Sequence, residues 1–167
     1  NDPSNHPLMI FDSANPTGGD EDLGTPNQLY GGPGQPEPPG DVESNWLPQG
    51  NVLIISEDAD EEDPDDNSGG GTITFTFDYP TPVEQVHILD VEETGGWVRA
   101  YDSPVGGTLV ASGTITAAGD NSFQVVTVTA KAIQRLEISF VGSGAVSDIL
   151  FCPVSADLTL EPEDGVN

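Results

Sequence analysis

The side chains of this sequence that could do chemistry are carboxylates, and they are concentrated at a few places along the chain. Asp20-Glu21-Asp22 follows a Gly-Gly pair, and within residues 57–66 eight of the ten residues are acidic, with Asn67 directly after them. Asp90 and Asp148 lie at the ends of apolar segments. Carboxylates within a few ångströms of one another repel strongly unless a cation lies between them, so this clustering predicts bound cations.

The donor chemistry of these clusters favours calcium. Calcium takes roughly six to eight oxygen ligands, which carboxylates, Asn side chains and the carbonyls of Gly-rich loops supply. Magnesium keeps more of its own waters and needs fewer protein ligands. Zinc and iron favour nitrogen and sulfur ligands, and the only imidazoles and thiol are those of His6, His87 and Cys152. We therefore expect several calcium ions. Their sites are not EF-hands, because an EF-hand template laid over the acidic stretch has Asp63 at the position of its turn glycine.

Two simpler explanations of the acidic residues remain open. In the first, the acidic residues serve only solubility or a halophilic surface, although their concentration in loops argues against this explanation. Composition alone would also allow disorder over residues 12–70, whereas the pattern of the later residues does not.

The net charge excludes several partners. The chain carries 29 Asp and Glu against 3 Lys and Arg, a formal charge of −26, and its basic residues are Arg99, Lys131 and Arg135. A phosphate backbone or an anionic membrane surface would be repelled, so we expect neither nucleic-acid binding nor membrane docking through charge. No apolar run reaches the roughly 18 residues of a membrane-spanning segment, so we expect no membrane insertion.

Period-two alternation of apolar residues predicts the strands that position these clusters. In residues 72–77 the apolar residues share one face and the threonines the other. Similar patterns and short apolar runs predict strands over residues 8–11, 52–56, 72–77, 83–90, 97–101, 108–112, 123–129, 134–141 and 146–151. Gly- and Pro-rich turns separate them, among them Pro80-Thr81-Pro82 and Gly119-Asp120-Asn121. This pattern predicts an all-β fold, an antiparallel and jelly-roll-like β-sandwich.

Two stretches interrupt the strand pattern. Residues 12–51 form a long loop with a Pro-rich centre, and a loop of that length is usually functional or held by a ligand. Residues 153–167 are typical of a linker or the start of a following module. We expect one domain over residues 1–152, with long loops ordered by calcium. Because the chain begins with Asn and shows no signal peptide, we expect it to be a segment of a longer protein.

Five short motifs occur in order along the chain. They are Met9-Ile10-Phe11-Asp12-Ser13-Ala14-Asn15-Pro16, Gly19-Asp20-Glu21-Asp22-Leu23-Gly24-Thr25-Pro26, Gly50-Asn51-Val52-Leu53-Ile54-Ile55, Asp65-Asp66-Asn67-Ser68-Gly69-Gly70-Gly71 and Gly142-Ser143-Gly144-Ala145-Val146-Ser147-Asp148. Over about residues 7–152 the sequence resembles the calcium-dependent, ligand-binding β-sandwich modules of large secreted bacterial adhesins of the RTX type, including peptide-binding domains. The resemblance implies as calcium ligands Asp12, Asp20, Asp22, Asp66, Asp90 and Asp148. The acidic loop, which comprises residues 57–67, adds Asp65 and Asn67.

No motif indicates catalysis. The sequence has no Gly-x-Ser-x-Gly elbow and no His-Glu-x-x-His, and Ser143 lies between glycines in a predicted turn. A pair of carboxylates at glycosidase spacing would arise by chance among 29 acidic residues. We therefore expect no catalytic residues and no enzymatic activity.

Aromatic residues outside the strand pattern predict a ligand-binding surface. Tyr30 and Trp46 lie in the long Pro-rich loop, where no period-two pattern calls for them, and Asp60 lies in the acidic loop. Trp97 and Arg99 share one face of a strand, which is either the edge of the core or a stacking platform.

These features predict a calcium-dependent adhesion module, extracellular or at the cell surface, that is a monomeric domain within a larger chain and recognises a peptide or a glycan. One alternative is a calcium-rigidified structural spacer, although a spacer has no use for a long loop with Tyr30 and Trp46. Another is a carbohydrate-binding module attached to an extracellular enzyme.

Overall fold

A computed structural model describes residues 6–36 and 45–151 of the chain, and within them almost all regular structure is β. The seven strands are β1 (Leu8–Asp12), β2 (Asn51–Ile55), β3 (Gly71–Val91), β4 (Trp97–Tyr101), β5 (Leu109–Thr114), β6 (Gly119–Phe140) and β7 (Ala145–Leu150). The described helices are two single 3₁₀ turns, Glu21–Leu23 and Gln28–Tyr30, and neither could cross a membrane. The predicted all-β class is confirmed.

The strands form one antiparallel sheet in the order β1-β2-β7-β3-β6-β4-β5. Three strand pairs are nested in sequence, each enclosing the next: β2 pairs with β7, β3 with β6 and β4 with β5. The two long strands take part in both halves of the sheet, since β3 pairs with β7 through its C-terminal half while β6 pairs with β4 through its own. The sheet folds over along these two strands and becomes an antiparallel, jelly-roll-like sandwich.

The prediction of nine strands is wrong in one respect. Segments 72–77 and 83–90 are two halves of β3, and segments 123–129 and 134–141 are two halves of β6. The Pro80-Thr81-Pro82 segment, predicted as a turn, bends the strand without reversing it. Proline lacks an N–H for the ladder, and the β3–β6 register shifts between Thr76 and Val83. The bend is where β3 passes from one layer to the other.

The core consists of two clusters of buried apolar side chains. The larger one joins the two layers, with Ile73 and Leu136 from one half of the sheet and Val86 and Val126 from the other. The smaller cluster contains Phe11, Leu23, Val52, Ile54, Leu89 and Ala145. Through Leu23, which is fully buried, this second cluster anchors the first part of the long loop beside the end of β3.

Parts of the predicted domain organisation lie outside the described residues. The boundary at residue 152, the linker over residues 153–167 and the second part of the Pro-rich centre, residues 37–40, belong to this part. Cys152, predicted as a small buried hydrophobe, does too.

Candidate metal centre

The end of β3 and the start of β6 bring two buried carboxylates together. Val91 pairs with Gly119 and Leu89 with Phe123, so β6 has extra residues opposite Asp90. Within this bulge both Asp90 (φ 55°) and Asn121 (φ 52°) adopt a left-handed conformation, which Asp and Asn tolerate better than most residues. The Asn121 N–H donates to Asp90 Oδ1 at 2.7 Å. Asp90 and Asp120 are 2% and 3% exposed.

The long loop adds a third carboxylate through a single 3₁₀ turn. Leu23 in this turn packs into the smaller core cluster, and Asp22 precedes it. The Asn121 side chain fixes the loop from the other side, because its Nδ2 donates to the carbonyls of Asp22 and, at 2.9 Å, of Gly24. Its Oδ1 accepts from Asn27 Nδ2 at 2.7 Å. The loop is therefore tied to the bulge of β6.

The result is a triad of acidic side chains at one end of the sandwich. Asp22, Asp90 and Asp120 each present a carboxylate oxygen, and these oxygens lie within 4.8 Å of one another. Such a separation suits oxygens that share one cation and is strongly repulsive without one.

Two further carboxylates border the triad. The Asp66 N–H donates to Asp20 Oδ2 at 2.6 Å, and Asp66 Oδ2 accepts from the Gly144 N–H at 2.7 Å. The acidic loop, the long loop and the turn before β7 therefore meet at this point. We call Asp20, Asp22, Asp66, Asp90 and Asp120 the acidic cluster.

The protonation equilibria of the acidic cluster reflect its crowding. Burial, followed by the charges of Asp120 and Asp20, raises the pKa of Asp22 to about 7. Burial likewise raises the pKa of Asp66 to about 7, with Asp20 and Asp22 contributing, and that of Asp20 to about 6. The pKa of Asp90 is raised well above its usual range by burial and then by Asp22. These four carboxylates thus resist ionisation next to one another.

The two arginine side chains have partners of their own. Arg99 stacks on the Trp97 ring at 4.0 Å, and Arg135 stacks on Tyr101 at 4.1 Å. Arg135 also pairs with Glu137 at 3.0 Å. Lys131 is exposed on β6. Both arginines are therefore engaged on the outer face of β4 and β6.

The structure brings together four of the eight candidate calcium ligands, Asp20, Asp22, Asp66 and Asp90. Asp65 is next in sequence but faces Gly18, and its pKa is raised by burial and then by Glu57.

The other three candidates have local roles. Asp12 caps a turn, accepting from the Ala14 N–H and Asn15 Nδ2. Asn67 closes the loop before β3 through Gly69 and Gly70. Asp148 is exposed and lies 4.0 Å from His87 Nδ1. None of the three belongs to a described group of at least three acidic, His or Cys side chains close enough to share an ion.

Asp120 is the member that sequence reasoning missed. It was predicted only as part of a Gly119-Asp120-Asn121 turn, whereas these residues begin β6. The sequence holds one signal, three consecutive polar residues, Asp120-Asn121-Ser122, directly before the predicted strand 123–129, and the structure buries all three.

The predicted ligand-binding residues fall into two groups. Tyr30 and Trp46 are about half exposed on the long loop, and Trp46 meets Phe123 edge-on at 6.3 Å. Asp60 is exposed and accepts the Glu62 N–H within the acidic loop. Trp97 and Arg99 lie on β4, which pairs with the far half of β6. These two residues are therefore separate from the loop residues.

The fold and the site together define an all-β sandwich with a buried, all-oxygen acidic cluster, a donor set suited to a hard cation. The chain matches no family model, no curated protein and no solved structure.

Proposed function

We propose that the chain is a calcium-binding β-sandwich module, in which Asp22, Asp90 and Asp120 hold one ion and Asp20 and Asp66 lie at its margin. One observation supports this most: three carboxylates from distant parts of the chain converge, with two of them almost fully buried. Burying several like charges close together is costly, and a divalent cation between them removes that cost.

The choice of calcium rests on the donor set. All five side chains of the acidic cluster offer oxygen, and neither His6 nor His87 belongs to it. Calcium accepts irregular oxygen cages, whereas magnesium requires near-octahedral geometry and retains its waters. The sequence also predicts ions near Asp12, Asn67 and Asp148, but no described group of acidic side chains forms there, so the proposal is limited to the one ion of the triad.

We infer that the ion orders the loops of a non-catalytic adhesion module of a secreted or surface-anchored bacterial protein. The three loops that meet at the acidic cluster carry exposed side chains, including Tyr30 and Trp46. Loops held on a rigid sandwich are common binding surfaces, and extracellular calcium is abundant enough to fill modest-affinity sites. The resemblance to RTX adhesin modules supports the same function.

A carbohydrate-binding module is the second candidate, and one surface favours it. The outer face of β4 and β6 presents the Trp97 and Tyr101 rings, each with a guanidinium stacked on it. Aromatic rings next to polar side chains suit the stacking and hydrogen bonding of a sugar.

Calorimetric titration with calcium and with magnesium tests the metal half of the proposal. We expect calcium binding that Asp90→Asn abolishes, with Asp148→Asn as the matched control that retains it. Failure to bind calcium in the wild-type protein contradicts the metal half.

A peptide and glycan array, probed with calcium and with chelator, tests the binding half. Binding that requires calcium supports the adhesion module. Glycan binding that survives chelator and is lost in Trp97→Ala favours the second candidate instead.

A further inference from the structure

Strand β1 is an edge of the described sheet, and half of its backbone groups face outwards. The Ser56 N–H donates to the Pro7 carbonyl at 2.8 Å and the Ser13 N–H to the Gly50 carbonyl at 3.1 Å. In an antiparallel pair, hydrogen-bonded and non-hydrogen-bonded positions alternate. With the register from Leu8↔Ile55 to Asp12↔Asn51, the odd-numbered residues of β1 bond to β2. The N–H and C=O groups of Leu8 and Ile10 therefore point away from β2.

A groove runs along this edge. It has a volume of about 330 Å³ and is lined on one side by residues 7–10 and on the other by Ala59, Glu61 and Pro64 of the acidic loop. Leu8 and Ile10 are 49% and 60% exposed, which is high for large aliphatic residues in a strand. The groove thus combines unpaired main-chain groups with exposed apolar side chains, within the part of the chain that the structure describes.

The far side of the groove belongs to a strongly acidic loop. Glu61 lines the groove, and its neighbours Asp60 and Glu62 are exposed beside it in the stretch 57–66, in which eight of ten residues are acidic. These side chains lie outside the acidic cluster, so a metal ion bound in the acidic cluster would not neutralise them.

We propose that the β1 edge binds an extended peptide that carries Lys or Arg at alternate positions. The peptide would add a strand to the sheet, pairing with the outward N–H and C=O groups of Leu8 and Ile10. In this mode the main chain supplies affinity and alternate side chains supply specificity. Cationic side chains on one face would meet Glu61 and its neighbours, while apolar ones would cover Leu8 and Ile10.

Charge decides between this occupant and others. A second copy of the chain would bring a further net charge of −26 to the acidic wall. The segment after residue 152 contains Asp157, Glu161, Glu163 and Asp164 and no basic residue, so it is repelled as well. A cationic partner strand fits the groove where these do not. This inference rests on the ligand-binding half of the proposed function and not on the metal.

The test uses a capped peptide of alternating lysine and valine, long enough to span the five residues of β1, with calcium present. Binding is followed by fluorescence anisotropy in about 0.15 M salt, where screening acts beyond about 8 Å and suppresses nonspecific attraction. The control peptide has proline in place of valine, because it keeps the charge but cannot pair as a strand. We expect the first peptide to bind and the second to bind at least about fivefold more weakly, as lost main-chain bonds predict.

Amide hydrogen exchange locates the site. The amides of Leu8 and Ile10 should become protected when the peptide binds, whereas those of Met9 and Phe11, which already bond to β2, should change little. Ile10→Pro removes an outward N–H at an edge strand and leaves the ladder to β2 intact, so it should weaken binding several-fold. Glu61→Lys should weaken binding about fivefold or more, while Asp78→Lys, an exposed position on β3 with the same charge change, should have less than about a twofold effect.

Several results would overturn the proposal. Equal binding of both peptides would show a purely ionic contact. Protection of the Leu8 and Ile10 amides before peptide is added would show that the edge is already covered, by the chain itself in a monomer or by a second copy if the protein self-associates. Absence of peptide binding while calorimetry still detects calcium would remove the edge site and leave the metal centre standing.

Discussion

The N–H of Asn121 donates to Asp90 Oδ1 at 2.7 Å, and both residues have positive φ. The bond joins the C-terminal end of β3 to the bulge at the start of β6. It also orients the Asp90 carboxylate towards Asp22 and Asp120, with which it shares the triad. The same Asn121 side chain holds the loop that carries Asp22. Backbone strain in the bulge and the geometry of the carboxylates are therefore two aspects of one local arrangement.

Removing single carboxylates should separate ligands from bystanders. We expect Asp22→Asn and Asp120→Asn to abolish the rise in melting temperature that calcium produces, because each removes an oxygen of the triad. In the wild type that rise corresponds to about 4 kcal/mol when calcium exceeds its dissociation constant about a thousandfold. Asp12→Asn is the control, since Asp12 only caps a turn. Equal loss in all three variants, measured by differential scanning calorimetry, would contradict the assignment.

Stability in chelator should decrease as the pH rises. The folded-state pKa values of Asp20 (about 6), Asp22 (about 7) and Asp66 (about 7) exceed the value of about 3.9 for Asp in an unfolded chain. Protonation therefore stabilises the folded state fully below about pH 4, and this contribution is lost as the pH rises through about 6 to 7. Urea unfolding at a series of pH values measures the trend.

Calcium should reverse this pH dependence, because the ion binds only the ionised carboxylates. The Asp66→Asn variant should show a shallower fall in chelator than the wild type, since one of the titrating groups is gone. A free energy of unfolding that rises between about pH 4 and about pH 7 in chelator would show that the acidic cluster is not a source of strain in the folded protein.

Leu23 should matter to the metal although it cannot bind one. Its side chain is fully buried beside Phe11 and Leu89 and anchors the turn that presents Asp22. Leu23→Ala should cost about 2–5 kcal/mol of stability and also weaken calcium binding. Leu29→Ala, at a position 71% exposed in the second 3₁₀ turn, should change neither by much. Chemical denaturation and calcium titration of both variants check this. An unchanged calcium affinity in a folded Leu23→Ala protein would show that the packing of Leu23 does not contribute to the metal site.

The buried amide of Asn121 should be one of the most sensitive positions. Asn121→Ala leaves the carbonyls of Asp22 and Gly24 and the Asn27 amide without their partner, at a cost of about 1–3 kcal/mol for each buried group that stays unsatisfied. Asn121→Gly removes the same bonds but relieves the left-handed backbone, so it should be about 1 kcal/mol less harmful. Urea denaturation should rank the two variants in that order. Asn15→Ala, at an exposed turn, is the control.

Strands were predictable where apolar residues alternate, as in residues 72–77 and 134–141, or form short apolar runs. Ile73, Leu136 and Ile138 are buried as their spacing indicates. The incorrect prediction of a turn at Pro80-Thr81-Pro82 has a physical cause. The same residue types interrupt a hydrogen-bond ladder whether the chain then reverses direction or only bends. The choice between the two depends on what β3 pairs with on each side of the bend, and local sequence does not contain that information.

The acidic cluster was predictable in its chemistry but only partly in its membership. Asp20, Asp22, Asp66 and Asp90 stand out because they adjoin loops rich in acid and glycine. Asp120 has no acidic neighbour in sequence, and it reaches the triad only because Gly119 lies opposite Val91. Such a position depends on long-range register, which periodicity along one strand does not specify.

The nested pairing of the strands also sets an order in which the chain can fold. Residues 102–108 alone connect β4 to β5, and each outer pair encloses an inner one. Once an inner pair has formed, it shortens the effective loop that the next pair must close, and so lowers the entropy cost of closing it. Asp22 lies in the loop between β1 and β2, outside these nested pairs, so the triad is completed only when the outer strands are in place. Calcium should therefore slow unfolding much more than it speeds folding.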